Sequence, residues 1–100
     1  MKTGTLELGQ ASLHIGYSQI LPKQRDKIRE ITEFFVHEKE RGKGFGSELL
    51  KDVCEQADSK EITLLLKADT ERLENYYKRF DFVTIQAGSD ILMARQPKRA

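Results

Sequence analysis

The chain has 100 residues, a formal net charge of +1, 38% apolar and 33% charged residues. This accommodates one compact domain, expected over residues 1–100, with a modest core, and excludes a disordered chain. Near-neutral charge provides no basic field for nucleic acid, and no apolar run approaches the ~20 residues of a membrane span, so neither partner is expected.

The N-terminus, Met1 to Glu7, has a charge but no apolar stretch behind it, so it does not read as a signal peptide. Thr5–Leu8 and Ala11–Tyr17 alternate polar and apolar residues around Gly9-Gln10, the pattern of a β-hairpin. Leu21–Asp26 carries Pro22 and several charges and reads as a loop. Lys27–Val36, with Ile28, Ile31, Phe34, Phe35 and Val36, reads as a strand. His37–Gly46 is a polar, glycine-rich loop. Phe45, Leu49, Leu50, Val53, Cys54 and Ala57 then recur at helical spacing until Asp58-Ser59-Lys60. Ile62–Leu66 is a continuous apolar run, a strand covered on both faces. Asp69-Thr70 can cap a second helix, to about Arg79, whose stripe is Leu73, Tyr76, Tyr77 and Phe80. Phe82–Ile85 and Ile91–Ala94 read as two final strands around a turn at Ala87–Asp90. The order β-β-β-α-β-α-β-β predicts an α+β (mixed α/β) fold, with helices packed on a sheet.

A strand, a glycine-rich loop and a helix in succession form an anion site. Glycines let the backbone turn tightly, and the first N–H groups of the helix lack internal partners and sit at its positive end. Arg41 and Lys43 add charge there. The nucleotide P-loop is excluded, because no Gly-Lys-Ser/Thr follows four spacer residues. A dinucleotide fingerprint starts at Gly42 and Gly44, but Ser47 stands at its third glycine, and no acid appears near the end of the next strand before Asp69. A glycine turn that caps a helix without any ligand is the other reading of the loop.

Arg41-Gly42-Lys43-Gly44-Phe45-Gly46 resembles the Arg/Gln-x-x-Gly-x-Gly/Ala signature of the GNAT superfamily of acetyl-CoA-dependent N-acetyltransferases. Its flanks, Ile31–His37 and Ser47–Leu50, resemble the family's strand and helix around that loop. A second block, Tyr76–Phe82, resembles the family's Phe-Tyr-x-x-x-Gly-Phe. The resemblance covers about Lys27 to Arg95. It implies a GNAT-like, mostly antiparallel sheet, with acetyl-CoA (coenzyme A) as donor and an amine as acceptor. By this resemblance the backbone of Arg41, Gly42, Lys43, Gly44, Phe45 and Gly46 holds the pyrophosphate, and the pantetheine arm runs beside Phe34, Phe35 and Val36. Phe34 and Phe35 also read as core side chains. The resemblance makes Val36 the owner of an N–H for the oxyanion and Tyr77 the acid that protonates the departing sulfur.

Unperturbed, Tyr77 is protonated at neutral pH, as an acid must be, although an ordinary core tyrosine is the other reading. Tyr76 points about 100° away on a helix and is not expected to share the role. Glu30 and Glu33 are the candidate bases, Glu30 slightly ahead. Being three apart, they face opposite sides of a regular strand, so one at most should face the cleft unless a bulge intervenes. Either can also be a solvated charge. His37 reads as a polar residue before the loop, His14 belongs to no motif, and Cys54 reads as a packing residue. The lone cysteine favours the cytoplasm. No metal is called for.

Against the family, the chain has only residues 1–26 before its central strand, where longer members carry helices that wall the acceptor site. The site is therefore expected to be open, suiting a large acceptor such as a protein side chain, or to be completed by a partner subunit in a homodimer. Asp81 replaces the usual glycine of the second block, and Thr70 and Leu73 stand where Asn and Ala are common. Two other readings stay open: an inactive module that binds coenzyme A or another protein, and an acyl donor other than acetyl-CoA.

Overall fold

A computed structural model describes residues 1–36, 42 and 44–98. Strands β1 (Gly4–Leu8), β2 (Ala11–Tyr17) and β3 (Ile28–Val36) precede helix α1 (Phe45–Ser59). Strand β4 (Thr63–Ala68), helix α2 (Glu71–Lys78), β5 (Val83–Gln86) and β6 (Ile91–Arg95) follow. The expected element order is therefore present. The loop before β3 carries a short 3-10 turn, Pro22–Gln24.

The sheet runs β1-β2-β3-β4-β6-β5. Only the β3–β4 contact is parallel among its pairs. The crossovers β3-α1-β4 and β4-α2-β5 both advance in the same direction across the sheet. Right-handed connections therefore put both helices on one face. Ala11, Leu13, Ile15, Ile31, Leu64, Leu66, Ala68 and Met93 point to that face and join Leu50, Val53 and Ala57 of α1 in the main core. A smaller cluster, Ile28, Leu65 and Ala94, lies on the opposite face.

Both helices end by the same device. After α1, Ile62 N–H donates to Ala57 O (2.8 Å) and Glu61 N–H to Asp58 O (3.2 Å), with Glu61 at φ 57°. After α2, Phe82 N–H reaches Tyr77 O (3.4 Å) and Asp81 N–H reaches Lys78 O (3.1 Å), with Asp81 at φ 72°. These are Schellman stops, which need a left-handed residue. Asp81 thus keeps the backbone shape of the glycine it replaces. The buried Arg95 closes the far end of the core, donating to both carboxylate oxygens of Asp58 (2.7 and 3.1 Å) and to Phe80 O (2.8 Å).

Candidate functional site

The site begins where two parallel strands part. Strand β3 pairs with β4 only at Ile28–Thr63, Arg29–Leu64 and Glu30–Leu65. Beyond this, β3 runs on to Val36 beside β2, while β4 runs on to Ala68 beside β6. The wedge between them is the larger cavity, about 1180 Å³. Its walls are β3 from Glu30 to Val36, Leu66 and Lys67 of β4, the first turn of α1, and Tyr76 and Tyr77 of α2.

A bulge shapes the β3 wall. Ser12 lies opposite Phe35 and His14 opposite Thr32, so Leu13 faces both Glu33 and Phe34. Glu33 takes up the extra residue at φ 53°. The extra residue reverses the alternation, so that Ile31, Phe34 and Val36 all face the helices. A regular strand would let only one of Glu30 and Glu33 face the cleft; with the bulge, the exception the sequence leaves open, both line it. They differ in setting. Glu33 is exposed, whereas Oε1 of Glu30 is buried without a hydrogen-bond partner. The bulge also corrects the reading of both phenylalanines as core. Phe34 packs between core and cleft, with ring centroids 6.4 Å from Tyr76 and 6.2 Å from Tyr77. Phe35 turns to the other face and is 54% exposed.

At the mouth, Gly42 and Gly44 adopt φ 91° and 83°, left-handed conformations that strain any residue with a Cβ. Gly44 is the N-cap of α1, and the first helical bond runs from Glu48 N–H to Gly44 O (2.9 Å). The N–H groups of Phe45, Gly46 and Ser47 precede it and lack intrahelical acceptors. A Cβ at Gly42 or Gly44 would meet nothing within 4 Å, so the space above the loop is open. At Gly46 a Cβ would lie 2.7 Å from Cγ2 of Val36, so here the glycine lets helix and strand approach closely. Arg41, Lys43 and His37 lie outside the described residues.

Tyr77 reaches the cleft from α2, which Thr70 caps by accepting a hydrogen bond from Leu73 N–H (3.1 Å). The ring is buried against Phe34 and Phe82. Its hydroxyl has no partner among the described residues. Burial, with smaller effects from Tyr76 and Asp69, pushes its pKa up to about 12. It thus enters the cleft protonated and free to donate. Tyr76 also lines the cleft, but its hydroxyl is engaged with Ser47 Oγ (2.9 Å), which ties α2 to the first turn of α1. The sequence marks Ser47 only as a departure from the dinucleotide pattern and as the start of the helix block; its place after Gly46 gives no sign of a partner 29 positions away. Cys54 is buried and its pKa is raised to about 11, chiefly by burial, so it is an inert packing residue. His14 is on the opposite face, touching Thr5 Oγ1 through Nδ1 (3.3 Å).

Comparison with known proteins matches residues 7–84 to the acetyltransferase (GNAT) domain family. No curated protein matches the sequence. Among solved structures, Escherichia coli ElaA is 25% identical with a TM-score of 0.68, over 86% of this chain and 60% of its own. A GNAT family acetyltransferase from Elizabethkingia anophelis, with acetyl-CoA bound, is 19% identical with a TM-score of 0.67, over 86% of this chain and 67% of its own. The anti-CRISPR protein AcrVA5 is 19% identical with a TM-score of 0.70, over 94% of this chain and 98% of its own. This chain spans less than two thirds of several similar structures, 63%, 60% and 65% of their lengths. Among the described residues no helix is long and apolar enough to cross a membrane.

Proposed function

The chain belongs to the GNAT acetyltransferase family, and from that premise we propose that residues 1–100, as one domain, transfer an acetyl group from acetyl-CoA to an amine. The acceptor is a protein lysine, an N-terminus or a small amine. The observation that carries this reading is the wedge beyond Glu30 and Leu65, which joins the glycine loop, the free Tyr77 hydroxyl and the Glu30 carboxylate in one cleft.

The residues present fit the donor. The N–H groups at the start of α1, with Gly42 and Gly44 opening the space above them, suit a pyrophosphate, and Arg41 and Lys43 are assigned to the same group. Past Glu30 strand β3 no longer pairs with β4, and its stretch at Phe34, Phe35 and Val36 is assigned to an extended amide-bearing arm, which can bond to backbone as a further strand would. Acetyl-CoA, when bound, supplies the activated acetyl group. The chain's own residues manage protons and position. An attacking amine must be neutral. Glu30 is assigned as the proton acceptor, because its buried, unpartnered oxygen leaves a carboxylate lone pair for an ammonium N–H. Glu33, exposed in the bulge, is the second candidate. Tyr77 is assigned as the donor to the leaving sulfur, and Val36, at the end of β3, as the backbone donor to the oxyanion. The acceptor nitrogen gains a bond to the acetyl carbon in exchange for the bond to sulfur; Glu30 would take the proton that makes the amine neutral, Tyr77 would give its proton to sulfur, and the second nitrogen proton would restore the Tyr77 hydroxyl. A cytoplasmic setting belongs to the same reading and rests on a single buried thiol.

The test is release of free coenzyme A thiol from acetyl-CoA with a panel of amines. Amine-dependent release, slowed in Glu30→Gln and Tyr77→Phe, is the expected result. Donor binding without amine-dependent release would favour a module that only binds coenzyme A. Release with longer acyl donors but not with acetyl-CoA would replace the donor and keep the site.

A further inference from the structure

A second cavity, about 520 Å³, lies on the sheet face away from the helices, walled by β2 and the segment after it. Two β3 residues, Glu30 and Thr32, line both this cavity and the cleft. Glu30 thus stands between them, with one carboxylate oxygen buried and unpartnered. The same lining also carries the opposite charge. Arg25 lines the cavity, its guanidinium 4.4 Å from the centroid of the Tyr17 ring. The guanidinium of Arg29 lies 4.7 Å from the same centroid. Arg29 is buried and held by neutral carbonyls alone, those of Met1, Arg25 and Ile28. Among the described residues neither arginine forms an ion pair. Arg25 therefore brings an unneutralised guanidinium to the cavity, whereas Arg29, two residues from Ile31 on β3, belongs to the helix side of the sheet and is not part of the lining.

We propose that this cavity binds the acceptor, and that the acceptor is a primary amine carrying an anionic group. Its amine is directed to Glu30, and its carboxylate or phosphate is held by Arg25. This rests on the acyl-transfer reading above and narrows its substrate class. The fork of donors on a guanidinium suits a carboxylate, and a charge-assisted hydrogen bond from an exposed arginine discriminates between acceptors without touching the reacting atoms. Arg25 is thereby the specificity-determining residue. Arg29 is occupied by backbone oxygens and lies outside the lining.

The probes are γ-aminobutyrate against butylamine, and a lysine peptide flanked by aspartate against one flanked by alanine. The first pair reports a small amino acid, the second a protein segment. Turnover is expected to show a KM lower by about tenfold or more for the anionic member of at least one pair. Arg25→Gln should erase the preference and Arg25→Glu reverse it, with acetyl-CoA affinity unchanged in both. Equal KM within both pairs, or a preference that survives Arg25→Glu, overturns the proposal. Binding is read separately from amide shifts of Gly16 and Thr32 in the labelled protein. If nothing is turned over but γ-aminobutyrate shifts those amides in wild type and not in Arg25→Glu, the cavity assignment stands and the acyl-transfer reading fails. No turnover and no shift with any probe overturns the cavity assignment.

Discussion

Gly46→Ala tests how closely the anion loop and the β3 wall are built against each other. The added Cβ would lie 2.7 Å from Val36 Cγ2 and 3.3 Å from Phe34 Cζ. Val36 is β-branched and has few rotamers to escape into, so the helix start and the strand end must separate. Such overpacking costs about 1–3 kcal/mol. Alanine recovers up to ~1 kcal/mol of helix propensity, leaving a net loss of about 0–3 kcal/mol. At the middle of that range, about 1.5 kcal/mol, the melting temperature of a domain of this size should fall by on the order of 6–12 °C. The same displacement pushes Val36 and Phe34 toward the cleft, and donor affinity should drop about tenfold, ~1.4 kcal/mol. Thermal denaturation and calorimetric titration with acetyl-CoA measure the two effects. Adding Val36→Ala removes the obstructing methyl. The double variant should be more stable than the sum of the single changes by about 0.5 kcal/mol or more. An unchanged melting temperature with unchanged affinity in Gly46→Ala would refute the close approach and the role of that wall.

Tyr77→Phe should lower kcat by about a hundredfold with near-normal donor affinity, because only the proton donor is lost; unchanged turnover in steady-state kinetics would remove Tyr77 as the acid. Asp58→Asn leaves Arg95, whose side chain is 5% exposed, without its carboxylate. Asp58 itself is 24% exposed, so the expected loss is about 2–3 kcal/mol, below the range for a fully buried pair; a loss under 0.5 kcal/mol, on the order of a surface ion pair, in denaturant unfolding would contradict this. The hydrogen bond from Arg95 holds the Asp58 carboxyl below its ordinary value. Its contribution is present above about pH 4 and should be lost in wild type as pH falls through the lowered pKa, with Asp58→Asn showing a weaker acid dependence. Tyr77 and Cys54 are shifted the other way, to about 12 and about 11, mainly by burial. The unfolded chain releases those protons first, so stability present below about pH 9 should decline toward pH 12, and Tyr77→Phe should flatten part of that decline.

The amphipathic stripes, the apolar run of β4 and the glycines at 42, 44 and 46 were enough to read the element order and the glycine turn that opens α1. The bulge was not legible in the same way. A left-handed residue usually announces itself as Gly or Asn, but among the described residues the non-glycine left-handed positions are Glu33, Glu61 and Asp81. Acidic residues there leave no compositional mark, so a bulge can be named as an exception along β3 but not placed. Without its position, apolar character alone puts both Phe34 and Phe35 in the core, although Phe35 is exposed. Asp81 was read as a departure from the family motif, yet the chain keeps the glycine conformation at that point. Long-range polar contacts were equally silent. Nothing near Ser47 or Tyr76 in sequence indicates that their hydroxyls meet. The burial of Arg29 arises from carbonyls contributed by three separate residues.

Acetyl-CoA is assigned to the wedge between β3 and β4. Calorimetric titration of the wild-type chain with acetyl-CoA, paralleled by Gly44→Glu, tests that claim most directly. A carboxylate at position 44 would enter the open space where the pyrophosphate is assigned. The prediction is binding in the micromolar range for wild type, abolished in a folded Gly44→Glu variant. No heat at millimolar donor, or equal affinity in the two proteins, would contradict it.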